Sequence, residues 1–285
     1  MTTNGQKIAW ITDTAALLDE EFITKHQIHV LPLNIVFEEK AYRETIDLTS
    51  DEFYNKLRTA KVHPKTSQPP IGEMVKLYED LKAQGYDCAI AIHVSSDLSG
   101  TFHSSQTASK LANFPVHAID SKIGSYPMVK MLEAGQSMIE KGSSIEEVLS
   151  TLEGMTRNSE LSFIPSSLSQ LHKSGRVSGT AAFLSNLLNI KLVISFDNGK
   201  VVMKEKVRST KRAKNYVTEL LRKDMELAKV PEVAVINCNN EKDAQAWQEE
   251  LQSEFPELNV IVIPLSACVG VHAGEGTIGL SWVRY

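Results

Sequence analysis

The segment Ser95-Ser96-Asp97-Leu98-Ser99-Gly100-Thr101 gathers hydroxyls, a carboxylate and a glycine directly after an apolar run from Cys88 to Val94. Thr101 to Leu111 can continue as a helix, so the segment is a strand-loop-helix junction. Hydroxyls and the unpaired backbone N–H groups of a helix start are donors, and the guest they suit is an anion. Two more strand ends carry the same chemistry: Thr12-Asp13-Thr14 after Lys7–Ile11, and Asp120-Ser121 after Val116–Ile119. Taken singly, each reads as a helix cap. Three together, with Thr66-Ser67 as a fourth, point to a shared polar pocket at the carboxyl edge of a parallel sheet.

Other chemistries fit less well. Ser99 lies at a strand-to-helix turn, but Asp97 and Thr101 stand where a nucleophile elbow needs glycines, so its hydroxyl is expected to bind rather than attack. Gly274-Glu275-Gly276-Thr277-Ile278-Gly279 matches the dinucleotide pattern in letters alone; the few residues up to Tyr285 leave no room for the helix, second strand and acid it requires. His272, just before that glycine-rich turn, is placed to approach a ligand or to serve as a structural histidine. His26 and His29 have ligand-like spacing without a completing cluster, so no metal site is expected. Lys204, Lys206 and Arg208 share one face of a strand, followed by Lys211, Arg212 and Lys214; this is a solvated face or a partner surface.

The elements that position these residues alternate. The N-terminal half reads as strands and helices in turn, including an Ile145-Val148-Leu149-Leu152 stripe and a Thr49/Glu52 capping box. Val30–Phe37 is expected to be one β-rich run pairing near Tyr42, and Thr66-Ser67-Gln68-Pro69-Pro70 a loop before a helix ending at Gly85. A parallel, Rossmann-like α/β domain over 1–158 follows. From 159 to 285 the pattern predicts a mixed α/β domain: a strand at Leu161–Pro165, an apolar helix at Thr180–Leu188, a hairpin turning at Asn198-Gly199 and a helix capped by Ser209.

At 285 residues with 42% hydrophobic content, the chain has core enough for two such domains. A net charge of −5 argues against nucleic acid as partner, and no apolar run approaches the roughly 18 residues of a membrane span. The polar start, Met1 to Lys7, reads as no signal peptide. Cys88, Cys238 and Cys268, odd in number and unpaired in spacing, are expected to be reduced and buried, and a cytoplasmic protein without stable membrane insertion is expected.

The ordered set Ile11-Thr12-Asp13-Thr14, Thr66-Ser67-Gln68-Pro69-Pro70, Ser95 to Phe102, Ile119-Asp120-Ser121, Gly175-Arg176-Val177-Ser178, Leu188-Asn189-Ile190-Lys191 and His272 to Gly279 resembles the DegV family of bacterial fatty-acid-binding proteins. The resemblance runs over essentially the whole length. It implies two α/β domains holding one long-chain fatty acid between them, with no cofactor and no catalytic residue of the chain's own. It also implies a partner, the ATP-binding subunit of a fatty acid kinase, to which the acyl carboxylate is presented for phosphorylation to an acyl phosphate.

On the same resemblance Thr66 and Ser99 are carboxylate ligands with His272 in the network around them, and Arg176 and Arg208 lie on the partner-facing side. Asp13, Ser67, Ser95, Ser96, Gly100, Thr101, Asp120 and Ser121 would support the pocket. Ser174 and Leu192 depart from residues common in the family, a second glycine and a proline. Competing expectations are a stand-alone enzyme on an acyl or phosphoryl substrate, using Ser99 or Asp120 with His272, and a lipid-responsive regulator. Phe183, Leu184, Leu187, Leu188 and the Met128–Met131 region are candidates for closing a tunnel, or ordinary core.

Overall fold

The computed structural model describes residues 2–3, 5–173, 175–177 and 190–285; the expected helix at Thr180–Leu188, with Phe183, Leu184 and Leu187, lies outside them, as do Ser174, Ser178 and Asn189. The first half runs β1 (Thr2–Thr3), β2 (Gln6–Asp13), a 3-10 turn (Thr14–Ala16), α1 (Glu20–His26), β3 (Ile28–Leu31), β4 (Asn34–Phe37) and β5 (Lys40–Arg43). It continues through α2 (Ser50–Thr59), β6 (Lys65–Ser67), α3 (Ile71–Ala83), β7 (Cys88–His93), α4 (Thr101–Ala112), β8 (Val116–Asp120), α5 (Tyr126–Glu140) and α6 (Ile145–Asn158). β3, β2, β7 and β8 form a parallel sheet, with β1 antiparallel on β2. Because β2 has β3 on one side and β7 on the other, the carboxyl ends of β2 and β7 sit at a topological switch point, where ligand crevices form.

Two expectations need correction. Val30–Phe37 is not one run: Pro32, which cannot donate to a ladder, separates β3 in the parallel sheet from β4 in a separate three-stranded antiparallel sheet. Thr66 and Ser67 are not in a loop but in β6, which pairs with β4 in that small sheet, Ile35 opposite Thr66. The Thr49/Glu52 capping box is present at α2, as the S/T-x-x-E pattern requires.

The second half runs β9 (Ser159–Ile164), α7 (Leu168–Lys173), β10 (Lys191–Asp197), β11 (Lys200–Val207), α8 (Thr210–Leu227), β12 (Glu232–Asn237), α9 (Glu241–Glu254), β13 (Asn259–Pro264), α10 (Ala267–Ala273) and β14 (Ile278–Val283). Its sheet has the order β11-β10-β9-β14-β12-β13 and is mixed, parallel only at β12–β13. The hairpin turns at Asn198 and Gly199, both at positive φ (46° and 90°), the geometry an Asn-Gly pair adopts most readily. Two elements were not anticipated: β14, which lies at the centre of this sheet, and the short helix α10, which carries His272 up to the glycine-rich turn.

Side-chain alternation assigns each sheet a pair of layers. Ala9, Ile11, Ala89 and Ala91 face Met74, Tyr78 and Leu81 of α3 and Ala108 of α4. Trp10, Ile90 and Ile92, one residue out of phase, face inward with Met131 and Leu132 of α5. That inner core continues without a break into Leu161, Phe163, Ile194 and Ile236 of the second sheet. The far face of the second sheet packs under α8 and α9, where Val233, Val235 and Leu280 meet Val217, Leu221 and Trp247. Cys88, Cys238 and Cys268 are free and buried, and Met128 and Met131 belong to the core. Among the described residues no helix is long and apolar enough to cross a membrane.

Gly154, inside α6, has open space where a Cβ would stand. Gly154→Ala should therefore stabilise the protein by about 0.5–1 kcal/mol in urea denaturation, since only backbone freedom of the unfolded chain changes; a loss of stability would contradict this packing.

Candidate functional site

The hydroxyl-rich strand ends divide into two groups. Asp13 is fully buried and ties the β2 and β7 ends together: one oxygen accepts from Ala15 N at 3.1 Å, the other from Val94 N at 3.0 Å and faces His93 Nδ1 at 3.2 Å. Asp120 accepts from Ser96 N (3.1 Å), Lys122 N (3.0 Å) and the Ser96 hydroxyl, with Lys122 Nζ at 2.8 Å. Burial alone would raise its pKa, but those hydrogen bonds outweigh it and hold the carboxyl below the ordinary range. Ser121 donates to Ile123 O, and Ser95 reaches across to the hairpin, donating to Gly199 O at 2.7 Å. These groups, with buried Thr101, form the scaffold of the sheet edge and line neither cavity described next.

The second group faces a cavity of about 240 Å³. Thr66, Ser67, Ser99, Gly100, Arg176 and His272 line it, drawn from β6, the β7–α4 loop, the segment after α7, and α10. Thr66 Oγ1 lies 2.8 Å from His272 Nε2, and Ser99 Oγ lies 2.8 Å from Thr101 Oγ1. Both pairings leave the cavity-facing hydroxyl able to donate. A neutral imidazole with its proton on Nε2 supports the Thr66 oxygen while the Thr66 proton turns to an anion, and Thr101 does the same for Ser99. His272 Nδ1 has no hydrogen-bond partner among the described residues. Arg208 lies exposed beyond the end of β11 and lines neither cavity.

A second cavity, about 100 Å³ and almost wholly apolar, adjoins the first. Leu161 and Phe163 of β9, Leu171 of α7, Phe196 and Val201 of the hairpin and Leu265 form its walls. Val94, Leu98, Arg176, Val269 and His272 line both spaces, so one continuous site has a polar mouth and an apolar interior. Together the two reach the lower end of the roughly 300–1,000 Å³ typical of ligand pockets. Sequence reasoning had no means of finding the apolar walls: Leu161 and Phe163 alternate with polar neighbours like any half-buried strand.

Beneath the mouth, buried Glu44 accepts from Cys268 N (2.9 Å) and from the Thr14 hydroxyl, which itself accepts from Leu33 N at 3.1 Å. This network joins the first turn of α10 to the segment leading into β4. It thereby fixes His272 on α10 relative to Thr66, whose strand pairs with β4.

His272 is held neutral. Burial lowers its pKa from 6.5 to about 3, and the neighbouring charges of Arg176 and His63 act in the same direction. The unfolded chain takes up this proton below about pH 6.5 whereas the folded chain does not until near pH 3, so stability falls as pH drops through that window. His272→Gln should flatten the slope of unfolding free energy against pH between 6.5 and 5 in delipidated protein. Parallel slopes for variant and parent would show that the imidazole is not kept neutral.

An α/β protein with a parallel first sheet, a mixed second sheet and an amphipathic cavity at the switch-point edge is the class these features define. Residues 7–285 match the DegV family, whose members are described as uncharacterised. Protein DegV of Bacillus subtilis is 38% identical over 277 residues, covering 96% of this chain and 98% of that protein. The crystal structure of DegV from Bacillus subtilis, a fatty acid binding protein, superposes with a TM-score of 0.89 at 36% identity over 98% of this chain and 100% of that one. A fatty-acid-binding DegV family protein from Thermus thermophilus gives a TM-score of 0.90 at 26% identity, again over 98% and 100%. The chain belongs to the DegV family.

Proposed function

We propose that this chain is a carrier that binds one long-chain fatty acid between its halves, 1–158 and 159–285, and presents the carboxylate to the ATP-binding subunit of a fatty acid kinase in the cytoplasm. The observation that carries the reading is the continuity of the two cavities through Val94, Leu98, Arg176, Val269 and His272. The tail lies among Leu161, Phe163 and Val201; the head meets the hydroxyls of Thr66 and Ser99, the His272 ring, and the cation of Arg176. Fatty acid binding by the Bacillus subtilis and Thermus thermophilus relatives supports the ligand class. The kinase partner rests on the family resemblance. In the reaction a carboxylate oxygen attacks the γ-phosphorus of ATP held by the partner, the bond to ADP breaks, and an acyl phosphate forms. This chain's residues hold and orient the nucleophile.

Energetics divide the labour between tail and head. Burying about 14 methylenes at ~0.8 kcal/mol each contributes on the order of 11 kcal/mol before association costs. A charge-assisted hydrogen bond adds roughly 1.5–3 kcal/mol, much of it offset by desolvating the carboxylate. The tail therefore supplies affinity and the hydroxyls fix the head.

Native mass spectrometry followed by denaturing lipid extraction tests the ligand: a stoichiometric long-chain fatty acid is expected, and a protein that is empty and refuses added fatty acid would refute the carrier. Ser99→Ala should keep its lipid yet lose acyl phosphorylation with the kinase partner by about tenfold or more. Complete loss of lipid from a folded variant would contradict this division, and turnover by the purified chain alone would replace a carrier with an enzyme.

A further inference from the structure

A third cavity, about 370 Å³, is lined in part by the segment that leads into β6, the strand carrying Thr66. Its lining includes Arg58 at the end of α2, Lys61 and His63 on the approach to β6, Lys173 on α7, and Glu275. The one acid is already satisfied, since Glu275 accepts from Arg58 Nε at 3.0 Å and from Asn239 Nδ2 at 2.6 Å. Lys61 and Lys173 are exposed and form no ion pair with an acid among the described residues. His63 Nε2 is buried without a hydrogen-bond partner among them. Ser167 and Ser169 add hydroxyls to the same lining, while that of Ser166 already donates to Glu275 O. Unpaired cations with convergent hydroxyls and an unused ring nitrogen are the groups that recognise a multiply charged oxyanion.

Its place relative to the acyl site gives the pocket a purpose. His63 precedes Thr66 by three residues on the strand approach, and α7 turns Leu171 to the apolar cavity while Gln170 and Lys173 face the basic one. Burial, and after it the neighbouring charge of Lys173, holds the pKa of the His63 imidazole below its ordinary range, so His63, like His272, offers a neutral ring nitrogen. Elements shared by the two sites therefore connect them: the segment carrying His63 continues into the strand of Thr66, and α7 borders both the basic pocket and the apolar cavity.

We propose that the pocket lined by Arg58, Lys61, His63 and Lys173 is a second ligand site that binds a phosphoryl group, supplied by the partner's nucleotide or by the acyl phosphate product. The inference rests on the fatty acid carrier reading for the source of that group. Its volume lies within the range of small-ligand pockets.

The test titrates inorganic pyrophosphate into fatty-acid-loaded, ¹⁵N-labelled protein and follows backbone amides. Saturable shifts at Lys61, His63 and Lys173 are expected, weakened about tenfold or more by K61E/K173E with lipid content unchanged. ATP displacing pyrophosphate assigns the site to the donor; an alkylphosphonate that replaces the fatty acid and excludes pyrophosphate assigns it to the product. No saturable shift in the parent protein, shifts centred on Thr66 and His272 that ignore the double substitution, or displacement by neither competitor would overturn the proposal. Lipid measured in the same sample separates the two readings: loaded protein indifferent to pyrophosphate ends this inference alone, whereas protein that binds pyrophosphate but is empty and refuses added fatty acid ends the carrier reading alone.

Discussion

Asp13→Ala should destabilise the protein by on the order of 3–5 kcal/mol, enough to remove most of a typical domain's stability. Asp13 has no exposed surface and accepts from Ala15 N and Val94 N while facing His93 Nδ1, itself fully buried. The alanine leaves each of those groups without a partner in a space water does not reach, and an unpaired buried donor costs roughly 1–3 kcal/mol. Asp13→Asn is the discriminating control. It keeps one acceptor oxygen but turns an amide NH₂ toward either Ala15 N–H or the Val94 and His93 pair, so it should recover part of the loss. Guanidinium denaturation of all three proteins measures the series. Asp13→Ala within about 1 kcal/mol of the parent would show that the carboxylate is not the clamp between β2 and β7.

Gly279→Ala is expected to be nearly as damaging, although it adds a single methyl group. An added Cβ would stand 2.4 Å from Ser162 O and 2.7 Å from Phe163 Cα, both backbone atoms of the adjoining strand β9. Neither can rotate away. β14 lies between β9 and β12, so relief requires separating two strands at the centre of the six-stranded sheet. Overpacking of this kind costs about 1–3 kcal/mol where side chains can yield, and the rigid contact places this substitution at or above the top of that range. The measurement is urea denaturation beside Gly154→Ala, for which the opposite sign is expected. Near-parent stability for Gly279→Ala would mean that the strands are not so closely apposed. The glycine that completes a dinucleotide-like string thus has a purely steric reason.

Local chemistry is what the sequence discloses most readily. The Thr49/Glu52 box, the Asn198-Gly199 turn and the Ser209 cap each concern atoms within a few residues of one another, and each is found where expected. Strand β14 escaped notice for a different reason: Ile278, Leu280 and Trp282 do alternate with Gly279 and Ser281, but the glycine-rich run leading into the strand invites a different reading. Pro32 could have divided Val30–Phe37 in advance, because a missing donor is visible in the sequence itself. At the site, residue types indicated an anion, but the facing of each hydroxyl depends on partners far away. Ser95 is claimed by Gly199 and Asp13 by Val94, while Thr66 meets His272 across 206 positions. No spacing rule sorts the scaffold hydroxyls from those that face the cavity.

The walls of the apolar cavity come from Val94 and Leu98 on one side and from Leu161, Phe163 and Val201 on the other. A guest in that seam would stand where a core side chain otherwise would, so cargo and polypeptide share a fate. Binding only the folded form, a ligand at a hundredfold excess over its Kd adds about 2.7 kcal/mol, lowering the population open to proteases by roughly a hundredfold. The cellular lifetime of this chain would then register lipid supply, with empty copies cleared first and loaded copies accumulating.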